Sequence, residues 1–320
     1  MSDSGRRRRI ETDSITNMLH RSMPSKASGL VHMFARLRPL FEVDQDEPRI
    51  LFQANSTDNV VTVGLKCTQR MQAHAMAAGV IFAAFREPRF KQLSAEERGA
   101  LFAPAGDLLS WAVASELQQS PRQADGFERS LEDILPGARP EIDETLLRGL
   151  SEPQRRLGML IFQMSLAFIL LHELGHLDLG HAGQIGSASL EQEKDADRFA
   201  AEWLLSWPNE ADPNDGGRIS EFVAIAVALL WITTLNIFLG AHGGETHPEG
   251  YDRLFQVLDQ TINRENDLEY NGVWGFVCEM LLLHMEAAGF KFGPASYPRD
   301  GDLRDEANYL IDRIANRGLT

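Results

Sequence analysis

What the chain has little of narrows its chemistry first. It has two cysteines in 320 residues, Cys67 and Cys278, and neither has a second thiol at redox or zinc-finger spacing. That excludes a disulfide framework and a cysteine-built metal cluster, and the expected setting is reducing and cytoplasmic. Basic residues are scarce as well: 31 Lys and Arg stand against 46 Asp and Glu, a formal charge of −15. A surface so deficient in positive charge repels a phosphate backbone, so no nucleic-acid partner is expected. The one basic run, Arg6 to Arg9, reads as a solvated tail; no apolar core follows it, and no secretory segment is expected.

Long apolar runs are few. Leu157 to Leu171 is apolar for about 15 residues, short of the roughly 20 that span a bilayer. Phe222 to Leu239 comes closer, but Thr233, Thr234 and Asn236 interrupt it. Both read as helices buried in a protein core, so no stable membrane insertion is expected. What is present in quantity is apolar material, 43% of the chain, enough for a large core without staples.

Read along its length, the chain begins with a segment, 1–45, expected to be largely irregular apart from the apolar patch Leu30 to Phe41. Residues 46–120 should hold a small sheet and helices forming a lobe or cleft wall. There, Val60 to Val63 is a β-favouring run with Ile50 to Phe52 as its antiparallel partner, read either as an edge for an extended peptide or as a purely structural hairpin. Gln69 to Phe85 and Ala105 to Gln118 read as helices, with Met71, Met76 and Ala77 as core. The acidic, Gly- and Pro-containing stretch 121–140 reads as a linker or surface excursion. From 141 to 320 the pattern is helical: Ser151 caps a helix running to about Leu179, and Ser189 with Gln192 has capping-box spacing before another. The fold class expected is α+β, predominantly helical.

The chemistry concentrates at His172-Glu173-Leu174-Gly175-His176. On a helix the two histidines lie one turn apart and face the same way, so both imidazoles can bind one divalent ion. Glu173 sits beside them, placed to act as a base toward a water that the ion acidifies. A third ligand is required. His181 falls nine residues beyond His172, whereas the metzincin pattern needs ten, and Ala182 occupies that place. His181 and Asp178 therefore read as polar residues of the helix end, with support of the ligands as their functional alternative. Glu193 is the better third ligand, because it opens Glu193-Lys194-Asp195-Ala196-Asp197 on the next helix. From there Asp197, one turn along, can accept the free ring proton of a ligand histidine. Glu191 and Asp195 point about 160° away from Glu193 and read as solvated face.

HELGH at 172–176, EKDAD at 193–197, and Thr246-His247-Pro248 followed by Arg253 together resemble the gluzincin metallopeptidases, in particular the Ste24/HtpX-like group and the Lit-type phage-exclusion peptidases. The resemblance covers roughly Phe162 to Asp259. It implies a zincin-like core with a small β-sheet near the N-terminal side of the active cleft. It also implies Zn2+ held by His172, His176 and Glu193, with Glu173 as catalytic base and Asp197 orienting a ligand. His247 or its neighbourhood would reach the cleft, and Arg253 would hold an ion pair or the His-Pro turn in place. By its own chemistry His247 can donate to a tetrahedral oxyanion, and His242, in the Ala241 to Gly244 segment, is the poorer choice. The activity implied is zinc-dependent endopeptidase action on a protein or peptide. Two alternatives stand beside it: an inactive, metal-stabilised interaction module, and a membrane-associated Ste24/HtpX-like peptidase. Oligomeric state is not legible.

Overall fold

The computed structural model describes residues 7–44, 52–116, 144–181, 187–205, 217–238, 250–287 and 301–317. Residues 7–44 of the segment expected to be irregular hold regular elements: β1 (Arg7–Ile10), α1 (Thr12–Ser22), α2 (Ala27–Leu37) and β2 (Leu40–Asp44). The reason lies in short apolar stripes. Helix α1 buries Ile15, Met18 and Leu19, and α2 buries Leu30, Met33 and Phe34, each the i, i+3, i+4 set that turns one helical face inward.

β4 (Val60–Gly64) has an antiparallel partner as expected, but that partner, β3, is Phe52–Asn55 instead of Ile50–Phe52, with Phe52 opposite Val63 and Asn55 opposite Val60. Asn59 makes the turn in the left-handed region, at φ 53°. The sheet is larger than the pair, because β2 lies parallel to β4 and β1 antiparallel to β2, giving the order β1-β2-β4-β3. This corrects the reading of Val60–Val63 as a peptide-binding edge: β4 is hydrogen-bonded on both sides. Among the described residues the outer strands are β1 and β3.

The rest is helical: α3 (Leu65–Phe85), α4 (Ala95–Glu116), α5 (Glu144–Arg148), α6 (Glu152–Asp178), α7 (Ser187–Leu205), α8 (Gly217–Phe238), α9 (Gly250–Thr261), α10 (Asp267–Ala287) and α11 (Leu303–Arg317). Ser151 caps α6 as expected, its hydroxyl accepting from the Gln154 amide while the Gln154 side chain accepts from the Ser151 amide. Helix α7 begins at Ser187, so Ser189 lies inside the helix instead of capping it. The stretch 121–140, His242 and His247 lie outside the described residues.

Helix α6 runs through one continuous hydrophobic core, against α3, α7 and α8. Its crossing with α3 is close because Gly79 meets Gly158; a Cβ on Gly79 would fall 2.5 Å from the Gly158 nitrogen. The Ser165 hydroxyl donates to the Ala224 carbonyl at 2.8 Å, fastening α6 to α8. Helix α8 is fully buried from Phe222 to Trp231, so this part of the apolar run is packed inside protein. By length and composition α6 could cross a membrane, because the HELGH residues continue its apolar run in one 27-residue helix. Most of it is buried by other helices, as in the core of a folded domain.

Candidate metal centre

Two helices bring the site together. His172, Glu173 and His176 lie on the last turns of α6, while Glu193 and Asp197 lie on α7. Along α7 the buried positions are Ser189, Glu193, Ala196, Asp197, Ala200, Ala201 and Leu204, and Glu193, Ala196, Asp197 and Ala200 among them follow the i, i+3, i+4, i+7 spacing of one helical face. The helices approach closely because Gly175 has no side chain. A Cβ there would lie 3.1 Å from the Phe199 ring and 3.4 Å from the Ala196 Cα. The small residues inside HELGH and EKDAD are therefore what lets their charged residues meet.

His172 Nε2 lies 3.1 Å from His176 Nε2 and 3.3 Å from Glu193 Oε2, and His176 Nε2 lies 3.4 Å from Glu193 Oε1. A metal held tetrahedrally at roughly 2.0–2.1 Å separates its ligand atoms by about 3.3–3.4 Å, and these pairwise distances are of that order, with the two histidines facing different oxygens of the Glu193 carboxylate. Among the described residues this is the group of three side chains able to hold a metal ion. His172 and Glu193 are buried, and His176 is partly exposed.

The outer faces of these candidate ligands are also held. Asp197 Oδ1 accepts from His172 Nδ1 at 2.9 Å. Arg253, on α9, donates Nε to Asp197 Oδ2 at 2.8 Å and Nη2 to Oδ1 at 2.7 Å, and its Nη1 lies 3.5 Å from Glu193. Burial opposes charge on His172, but the Asp197 carboxylate and the hydrogen bonds from Asp197 and Glu193 outweigh it and lift its pKa to about 10. Burial would likewise raise Asp197, yet Arg253 holds it down at about 2, and Asp197 in turn raises Arg253. The carboxylates favour a proton on His172, and a divalent cation would occupy the same negative potential.

Glu173 is buried on the same turn as His172. The competing acids are turned away, as read: Glu191 pairs with Lys194 at 2.7 Å and Asp195 with Arg198 at 3.1 Å on the exposed face. Asp178 pairs with Arg36 of α2, which ties the end of α6 to the N-terminal helices. His181 is closer to the site than a helix-end residue needs to be, its Nδ1 lying 2.9 Å from His176 Nδ1. Burial and the His176 imidazole hold its pKa below the ordinary histidine value. Sequence reasoning gave that role only as an alternative; Gly180 beside it was the available signal, since a glycine just past a helix end folds the next residue back.

Residues 94–277 match the peptidase U49 family, and the matched span includes both ligand helices and Arg253. The chain belongs to the peptidase U49 family. The sheet and α3 lie outside that span. Over 115 residues the chain is 31% identical to the cell death peptidase of Escherichia coli (strain K12), a stretch covering 36% of this chain and 37% of that relative's length. No solved structure matches the chain.

Proposed function

We propose that the protein is a zinc-dependent endopeptidase of gluzincin type, in which His172, His176 and Glu193 hold Zn2+ and Glu173 is the general base. The observation that carries this reading is the convergence of two Nε2 atoms and the Glu193 carboxylate on one point, close enough together to share one ion. The donor set fits zinc: two neutral imidazoles and one carboxylate leave a fourth position for water or substrate. Peptidase membership and the cell death peptidase relative support peptide-bond hydrolysis as the reaction.

When bound, zinc polarises the scissile carbonyl and lowers the pKa of water toward neutrality. Glu173 takes the proton of the attacking water and delivers it to the departing amine. Asp197 keeps the His172 proton on Nδ1, leaving Nε2 free as a ligand, and Arg253 fixes Asp197 by two hydrogen bonds. His247 is proposed as a donor to the developing oxyanion, by its resemblance to the group's His-Pro pattern. The substrate class is protein or peptide, and the setting proposed is cytoplasmic, without a stable membrane span. Kinship with the Ste24/HtpX-like group belongs to the same proposal.

The test is Glu173→Gln. In a proteome-wide screen for new N-termini, wild type should generate cleavage products that E173Q, at equal zinc content, does not. The same products from both proteins would rule out Glu173 as the base.

A further inference from the structure

Helix α6 ends in Leu179-Gly180-His181. Gly180 adopts φ +68°, the left-handed conformation that reverses a helix end and that only glycine takes without strain. The reversal carries two backbone bonds: the Gly180 amide donates to the Leu177 carbonyl at 3.3 Å, and the His181 amide donates to the His176 carbonyl at 2.9 Å. This is the Schellman arrangement, which lays the second residue past the cap over the residue three positions before it. Usually that contact is apolar. Here it joins two imidazoles, with ring centroids 5.1 Å apart, planes 67° apart and the two Nδ1 atoms 2.9 Å apart.

The chemistry of the pair follows from tautomers. If His176 offers the Nε2 lone pair to a metal, its proton sits on Nδ1, and that N–H can donate only to a lone pair. His181 Nδ1 supplies one when His181 carries its own proton on Nε2. His172 is served by a carboxylate, Asp197, itself held by Arg253; His176 is served by a neutral ring delivered by the cap of its own helix.

We infer that His181 is a positioning residue: the glycine cap of α6 delivers it as the acceptor that fixes the tautomer and orientation of His176 as a metal ligand. This rests on the zinc reading above, and the experiment separates the two. In protein labelled with 15N at histidine and loaded with one equivalent of Zn2+, a scalar coupling across the hydrogen bond should link His176 Nδ1 with His181 Nδ1. In chelator competition, His181→Phe, which keeps a ring and loses the acceptor, should bind Zn2+ 10- to 100-fold more weakly. His181→Asn, whose amide oxygen falls near the Nδ1 position, should recover most of that loss, which a packing role alone would not do. The coupling is read on the wild-type protein, so it stands even if a variant folds poorly. Absence of the coupling in zinc-loaded wild type, or wild-type affinity in H181F, overturns the assignment of His181 and leaves the metal centre intact. Failure of wild type to bind Zn2+ at all overturns the metal centre, and this assignment with it.

Discussion

Arg253 holds both carboxylate oxygens of Asp197, and the oxygen it reaches at 2.7 Å is the one that His172 reaches at 2.9 Å. The three side chains come from three helices, α9, α7 and α6, and all are buried. One ligand histidine is thereby tied to a segment some eighty residues away in the chain.

Cutting that connection should affect both stability and metal binding. Arg253→Ala leaves Asp197 charged, buried and without its cation, a loss expected to cost about 3–5 kcal/mol in urea unfolding. Arg253→Lys cannot form the two-point contact and should fall between wild type and R253A. Asp197→Ala should lower zinc affinity by roughly 10- to 100-fold, read by chelator competition, because no acceptor then fixes the His172 tautomer.

The close approach of α6 and α7 should depend on Gly175. A valine there drives methyl groups into the Phe199 ring and the Ala196 backbone, and the helices must separate. Gly175→Val is expected to cost about 1–3 kcal/mol of stability. It should also weaken zinc binding while every ligand residue remains in place. Unchanged affinity would show that the ligands reach one another without this contact.

Acid should destabilise the fold through a pair far from the ligands in sequence. His74 and His284 are buried with ring centroids 4.8 Å apart, and each Nδ1 lies within hydrogen-bond reach of the carbonyl four residues before it. Their Nε2 atoms have no partner among the described residues. Burial lowers both pKa values, that of His284 to about 4. The unfolded chain, with ordinary histidines, therefore binds more protons than the fold between pH 6.5 and 4. The contribution of His284 is complete above pH 6.5 and is lost as pH falls through 4, with about 2 kcal/mol gone between pH 7 and 5. In urea titrations, the stability of His284→Leu relative to wild type should rise by that amount over the same interval. A difference independent of pH would mean that His284 is not held neutral.

Much of the site was legible in the sequence because helical spacing is rigid. His172 with His176, and Glu193 with Asp197, are each one turn apart, and two such pairs on adjacent helices leave few ways to meet. Arg253 was legible by resemblance alone, since nothing local indicates which acid it pairs with. The contact of His181 with His176 requires a backbone reversal at Gly180 that helical spacing does not describe. The N-terminal elements were missed for a different reason. Strand β2 pairs with β4 across the intervening β3, and such a parallel partner leaves no turn signal between the strands. The stripes of α1 and α2 are single i, i+3, i+4 sets, too short to stand out as periodic. His247 was read from its motif and lies outside the described residues.

The central claim is that one zinc ion joins His172, His176 and Glu193, and anomalous diffraction at the zinc absorption edge tests it most directly. Crystals of the zinc-loaded wild-type protein should show one strong peak within coordination distance of both Nε2 atoms and a Glu193 oxygen, and crystals of Glu193→Ala grown under the same conditions should show it lost or much reduced. A peak of full strength in E193A, or a stoichiometric zinc bound elsewhere in wild type, would contradict the account.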